Sequence, residues 1–298
     1  MAAGVILLSW LILPMLPSAA GDRLGVPYNT TMTRVNITNA PPYILNMSVS
    51  SPINLMPNGT VLVTCNASIM DYNGFQDIYN VSATFYAYSI SKSSFVDHNR
   101  THYSNSTCVN VSSYDIVSNY SCSFEVYYFA DNGTWTCNMT VVDIPNIQAT
   151  GIANSTINNL IALTVPDLID YGQVPVSNTS ANVMANLTNV GNKAINITMV
   201  AYALNISDGL ALKCEQGNIS FDSQRYSLFA NTTFTSRIIA NNTNLSRIAG
   251  LTIAQRNNSL SDALNTTNWM LTVPVGPQGT PYGLCNGTVV FNAMQASQ

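Results

Sequence analysis

Apolar and polar positions alternate along much of this chain. In "GTWTCNMTVV", residues 133–142, Trp135, Cys137, Met139 and Val141 share one face of an extended strand. Thr134, Thr136, Asn138 and Thr140 share the other face, which predicts a dry side and a polar, sugar-carrying side. β-rich runs recur as "YILNMSVSS", "TVLVTCNAS", "YNVSATFYAYS" and "SCSFEVYYF" in the first half. The second half offers "IALTV", "SANVMANLTNV", "AINITMVAYAL", "RYSLF", "WMLTVPV" and "TVVFNAM". Turn signals separate them: "PNG" at Pro57 to Gly59, "YNG" at Tyr72 to Gly74, and "DNG" at Asp131 to Gly133. "NVGN" at Asn189 to Asn192 reads as a hairpin turn, and the irregular stretch 240–264 fits a short helix or a decorated loop.

Many short strands at this spacing predict an all-β chain of two tandem β-sandwich domains behind an N-terminal signal segment. The length of 298 residues suits two domains. The expected divisions are a leader at 1–20, an extended β-prone segment at 21–42, a sandwich at 43–145, a linker at 146–160 and a second sandwich at 161–298. In the leader, an apolar run from Val5 to Leu16 precedes Ser18, Ala19 and Ala20, so cleavage is expected after Ala20. The alternative is an uncleaved anchor, which would be the chain's only membrane contact. Pro14, Pro17 and the short run argue against a stable span.

Composition changes the picture of the surface. Hydrophobic residues are 47% of the chain, enough for real cores, but charged residues are only 8%, where about a quarter is usual. The chain holds 37 Asn, 30 Ser and 28 Thr, from which chance yields about 7 Asn-x-Ser/Thr triplets. There are 24, none with Pro in the middle. The expected N-glycan acceptors include Asn36, Asn46, Asn58, Asn66, Asn80, Asn99, Asn105, Asn110, Asn119, Asn132 and Asn138 in the N-terminal half. Asn178, Asn186, Asn196, Asn205, Asn218, Asn231, Asn241, Asn265 and Asn286 continue the series. Glycans are then the expected hydration layer in place of charge. The net charge of −4, with no basic run, excludes a nucleic-acid surface.

Two stretches carry a resemblance. Asp131, Gly133, Trp135 and Cys137 follow the form Asp-x-Gly-x-aromatic-x-Cys, which resembles the signature leading into the late core strand of immunoglobulin domains. "GTVLVTCNAS" around Cys65 looks like the early strand with the first Cys. The resemblance implies an immunoglobulin-like sandwich and is compatible with an inter-sheet Cys65–Cys137 disulfide. Trp135 stands where Tyr is usual, so its ring nitrogen is not expected to copy a tyrosine hydroxyl contact. No Trp follows Cys65 at the usual core position. In the second half, "YGQVPVSNTSANVMANLTNVGNKAINITMVAY" is similar to the opening of bacterial and archaeal surface β-sandwiches. The sequon-dense, charge-poor style is similar to archaeal secreted surface proteins, including S-layer-associated proteins and glycosylated filament subunits.

Six cysteines behind a leader suggest disulfides in an oxidising compartment, and 15 pairings are open. The division into two domains favours Cys65–Cys137, Cys108–Cys122 and Cys214–Cys285. No Cys-x-x-Cys spacing points to zinc or redox work.

Asp71, Asn73 and Asp77 in "DYNGFQD" place alternating oxygen ligands around a Gly, a pattern that can wrap calcium. A plain Asn-Gly turn with solvated carboxylates is the bland alternative. Asp143 completes such a site if it lies at the same end of the sandwich. No other cofactor is expected. His98 and His102 have i, i+4 spacing, but the polar loop around them reads as solvated. No Gly-x-Ser-x-Gly elbow, phosphate loop or His-Glu-x-x-His motif appears, so no enzyme is expected. Trp269, Leu271 and Val273 share a strand face and read as core, as do Phe85 and Tyr127. The adjacent Tyr127 and Tyr128 must face opposite ways.

The resemblance and the sequons together lead to the expectation of a secreted, glycosylated cell-surface protein with a structural or adhesive role. Its partners would be surface proteins or copies of itself. The alternatives are a filament subunit that donates residues 22–40 as a strand to the next copy, and a module that binds glycans through exposed Tyr residues.

Overall fold

A computed structural model describes residues 31–89, 97–275 and 280–296. The leader at 1–20 and the first part of the 22–40 segment lie outside the described residues. Residues 31–38 belong to a separate N-terminal unit, form no strand and are exposed throughout. Residues 39–298 form one compact unit.

The first half of that unit contains β1 (Tyr43–Val49), β2 (Thr60–Met70), β3 (Ile78–Ala87), β4 (His102–Asn105), β5 (Val109–Tyr114), β6 (Val117–Tyr127), β7 (Gly133–Asp143) and β8 (Gln148–Ile157). They build two four-stranded antiparallel sheets, β1-β2-β6-β5 and β4-β3-β7-β8. The inward rows of β2 (Val63, Cys65, Ala67, Ile69) and β7 (Trp135, Cys137, Met139, Val141) meet in one core. Their alternation hides one face of each sheet from water, the main stabilising term of such a sandwich. Trp135 is fully buried and stacks on Phe85 at 4.8 Å, and Phe85 in turn stacks on Phe124 at 5.7 Å.

The "PNG", "YNG" and "DNG" turns are all used. Asn58, Gly74 and Gly133 take φ of 56°, 100° and 114°, the left-handed region that Asn and Gly tolerate.

The second half contains β9 (Leu163–Thr164), β10 (Val183–Asn189), β11 (Ile195–Tyr202), β12 (Leu210–Gln216), β13 (Asn218–Ser220), β14 (Gln224–Ser227), β15 (Ile238–Ile239), β16 (Ser246–Ile253), β17 (Leu264–Leu271), β18 (Tyr282–Asn286) and β19 (Thr288–Gln295). One sheet runs β15-β14-β17-β10-β9. Facing it are β16-β11-β19 and β13-β12-β18. Trp269 is fully buried here and meets Phe291 edge-on at 6.1 Å. Leu271 and Val273 are buried with it, as their shared face predicted.

Disulfides join Cys65 to Cys137, Cys108 to Cys122 and Cys214 to Cys285. The first crosses from β2 to β7 and so pins the two sheets together.

Three sequence expectations give way. Residues 146–160 are not a linker: Gln148–Ile157 is β8, paired along its length with β7. Its many polar residues mislead because an edge strand solvates one face while backbone hydrogen bonds hold it in place. "NVGN" is not a hairpin turn, because β10 and β11 pair with different partners in facing sheets. The stretch 240–264 holds neither a helix nor only a loop. It contains β16, in which Ile248, Leu251 and Ile253 are buried, and a bulge opposite Asn196–Thr198 breaks the two-residue period that would have announced it.

Candidate functional site

Three carboxylates meet at one end of the first sandwich. Asp71 follows the last residue of β2, Asp77 lies in the short 3-10 turn that enters β3, and Asp143 ends β7. One oxygen from each lies within 4.8 Å of the others. Asp71 and Asp143 are 0% and 1% exposed. The turn geometry explains the convergence: Gly74 at φ 100° reverses the chain, and Asp77 N–H donates to the Gly74 carbonyl at 3.0 Å. Ile144 N–H donates to the Asp77 carbonyl at 2.8 Å, which draws the end of β7 to the same place.

The hydrogen bonds are incomplete. Asp71 Oδ1 accepts the Asn73 N–H at 2.8 Å. Asp143 Oδ1 accepts the Ile147 N–H at 2.5 Å, and its Oδ2 accepts Asn39 Nδ2–H at 2.7 Å. Asp71 Oδ2 and Asp77 Oδ2 are buried and find no partner among the described residues. Burial, followed by the charges of Asp71 and Asp143, pushes the Asp77 carboxyl above its ordinary value. The side-chain oxygen of Asn73, the third residue of the expected set, accepts the Ala40 N–H at 2.8 Å. Asp143 joins Asp71 and Asp77 because β3 and β7 are neighbours with Ile78 opposite Asp143.

The sequon asparagines distribute unevenly. Eighteen of the twenty named above are exposed or half-exposed. Asn138 and Asn196 are instead 5% and 7% exposed, which corrects the expectation for both. β7 is an inner strand, and Asn138 sits between Thr84 on β3 and Ile152 on β8. Asn196 lies on the inner strand β11, where its side-chain oxygen accepts from Arg247 and Thr252. The polar row of "TWTCNMT" is therefore covered along part of its length, with Thr136 also buried.

His98 is exposed, but His102 is not solvated: it is 1% exposed on β4, 3.1 Å from Asp97 Oδ1 and stacked on Tyr86. Pairing of β4 with β3 carries it inward, which a four-residue strand in a polar stretch did not announce. Phe85 is core. Tyr127 is half-buried, and Tyr128, 3% exposed, packs edge-on to Phe129. Tyr79 and Tyr88 are exposed.

Trp135 supplies a further correction. Its ring N–H donates to the Asp131 carbonyl four residues upstream at 2.7 Å. It thus makes the kind of upstream backbone contact that a corner tyrosine makes in immunoglobulin domains, using a different donor.

Two features escaped the sequence reading. At the junction of the halves, Arg256 donates to the Tyr128 hydroxyl at 2.8 Å, and Gln255 donates to the Phe129 carbonyl and to Asp131, both at 2.9 Å. In the second half, a groove of about 1050 Å³ runs between the 165–175 loop and the β18–β19 edge. Neither follows a local motif, so no sequence signal marks them.

These features define the class: an all-β, disulfide-linked protein of antiparallel sandwich architecture. No known protein family and no curated protein matches the chain. Among solved structures it is similar to a chain of the CsuC–CsuE chaperone–tip subunit complex from Csu pili of Acinetobacter baumannii, at 10% identity and a TM-score of 0.39, covering 83% of this chain and 99% of that one. It is also similar to the C-terminal domain of the Streptococcus agalactiae AgI/II polypeptide BspA, at 12% identity and a TM-score of 0.20 over 86% and 96% of the two chains. The C-terminal domain of the Streptococcus pyogenes antigen I/II-family protein AspA gives 11% identity and a TM-score of 0.23 over 87% and 98%. At these scores the strand pairing above, not the likeness, defines the fold.

Proposed function

We propose that this chain is a secreted, N-glycosylated protein of the cell surface with a structural or adhesive role, and not an enzyme. The observation that carries this reading is the position of the sequons: eighteen of the twenty named acceptors are exposed or half-exposed on a chain with only 8% charged residues. The surface also exposes large apolar side chains such as Leu62, Tyr114 and Leu284. Such a surface needs another source of hydration, and glycans at exposed Asn residues supply it while shielding strand edges. Three disulfides support an oxidising compartment.

The test is the intact mass of the natively secreted protein before and after deglycosylation, with native sizing. A mass well above the 32.2 kDa of the bare chain that falls on deglycosylation supports the reading. A bare-chain mass overturns the sugar coat.

A second reading, a filament subunit, has its own observation. Met32, Val35 and Ile37 are 97%, 79% and 84% exposed in the segment ahead of the compact unit. The edge strand β18 pairs on one side only among the described residues, with β12, and Tyr282 and Leu284 on it are exposed. The 31–38 segment of one copy would add to that edge in the next. Sizing a chain that begins at Asn39 tests it: multimers of the full chain that persist without residues 1–38 refute this assembly.

A further inference from the structure

We propose that Asp71, Asp77 and Asp143 bind one calcium ion, which locks the end of the first sandwich. The three come from separate places in the chain, yet one oxygen of each lies within 4.8 Å of the others. Calcium–oxygen bonds run about 2.3–2.6 Å, so oxygens on opposite sides of one ion stand about 4.6–5.2 Å apart. The three carboxylates therefore fit around a single cation.

The second observation is independent of that spacing. Asp71 is fully buried, and among the described residues its Oδ2 has no hydrogen-bond donor. Asp77 Oδ2 is buried and, among the same residues, unpaired as well. No Arg, Lys or His pairs with any of the three among the described residues; the ion pairs there are Arg100–Asp131, His102–Asp97 and Arg256–Asp262. Buried carboxylates without partners or counter-charge are strongly destabilising. The N–H donors present serve Asp71 Oδ1 and both oxygens of Asp143, and so leave the unpaired oxygens to a ligand. An all-carboxylate set that can be completed by water suits calcium, whose coordination is flexible; magnesium demands octahedral geometry and dehydrates reluctantly.

The ion would also act on the N-terminal segment. Asn39 donates to Asp143, and Ala40 donates to Asn73 in the loop between Asp71 and Asp77. Ordering the carboxylates thus orders the point at which residues 39–42 join the sandwich.

The test is calorimetric titration of chelator-stripped full-length protein with calcium chloride at pH 7, together with thermal melting. Expected is saturable binding of one ion per chain and a melting temperature that rises with calcium by mass action. Asp77→Asn, at a half-buried position, should fold yet lose both responses, whereas Asp167→Asn on the groove loop should keep them. Three results would overturn the proposal: no heat and no shift at millimolar calcium, a response to magnesium but not to calcium, or a response unchanged in Asp77→Asn.

Discussion

Asn192 Nδ2 donates to the carbonyl oxygen of Ala130 at 3.1 Å, across the junction between the two halves. The same nitrogen donates to the Asn158 carbonyl at 3.0 Å, while its Oδ1 accepts the Leu160 N–H at 2.7 Å. One fully buried side chain thus holds the β6–β7 connection, the exit of β8 and the β10–β11 connection. Gly191 beside it is equally constrained, since a Cβ there would lie 2.3 Å from the Leu160 carbonyl oxygen.

Replacing that side chain should loosen the junction. Asn192→Ala leaves the buried Ala130 carbonyl without its donor and removes two half-buried bonds, to the Asn158 carbonyl and from the Leu160 N–H, a loss of roughly 2 kcal/mol. Guanidinium unfolding should show a lower midpoint. An unchanged midpoint would mean that the halves are held by other contacts.

The Trp135 hydrogen bond can be separated from its packing. Trp135→Phe keeps an aromatic against Phe85 but removes the donor to Asp131. The loss should be roughly 1–3 kcal/mol, from the unsatisfied carbonyl and the smaller ring. Equal stability of the two proteins would show that the contact is incidental.

The disulfides should contribute unequally. Their sequence separations are 72, 14 and 71 residues. On the chain-entropy model, removing Cys65–Cys137 by a double Ala substitution costs roughly 4 kcal/mol, and removing Cys108–Cys122 roughly 3. Thermal melts of the two double variants would rank them, and the reverse order would count against the model here.

Burial alone would raise the Asp208 carboxyl, but N–H donors from Leu204, Leu210 and Asn205 and the Asn242 side chain outweigh it and lower it to about 2 from 3.8. The folded state therefore binds its proton later than the unfolded state. The resulting stability is present above pH 3.8 and is lost as pH falls through about 2. The stability difference between the wild type and Asp208→Asn should be constant near neutrality and shrink across that window. A pH-independent difference would contradict the assignment.

Glycopeptide mapping of the native protein should find Asn138 and Asn196 bare, because a bulky glycan has no room at positions 5% and 7% exposed. Exposed sites such as Asn58, Asn66 and Asn218 should carry it. Occupied Asn138 would mean that β7 is packed otherwise.

Much of this molecule is legible in its residues because a strand repeats every two positions. That period marks β2, β6, β7, β11 and β17, the inner strands whose buried rows are long and apolar. It also identifies Trp135, Cys137 and Trp269 as core before any contact is known. Turn chemistry is equally local, so Asn58, Gly74 and Gly133 announce themselves. What periodicity cannot report is which strands become neighbours. β8 is a strand because β7 offers it a ladder, and Asn138 is buried because strands lie on both sides of it. Cys65 stands directly opposite Cys122 on β2 and β6, yet the disulfides run to Cys137 and Cys108. Asp143 joins Asp71 and Asp77 for the same reason: residues 66 positions apart in the chain become neighbours only when β3 and β7 pair. The sequence by itself determined the alternation, the turns and the chemistry available at each position. Only the tertiary structure decided pairing, burial of the polar faces and the meeting of the carboxylates, because these depend on contacts between strands that no single stretch encodes.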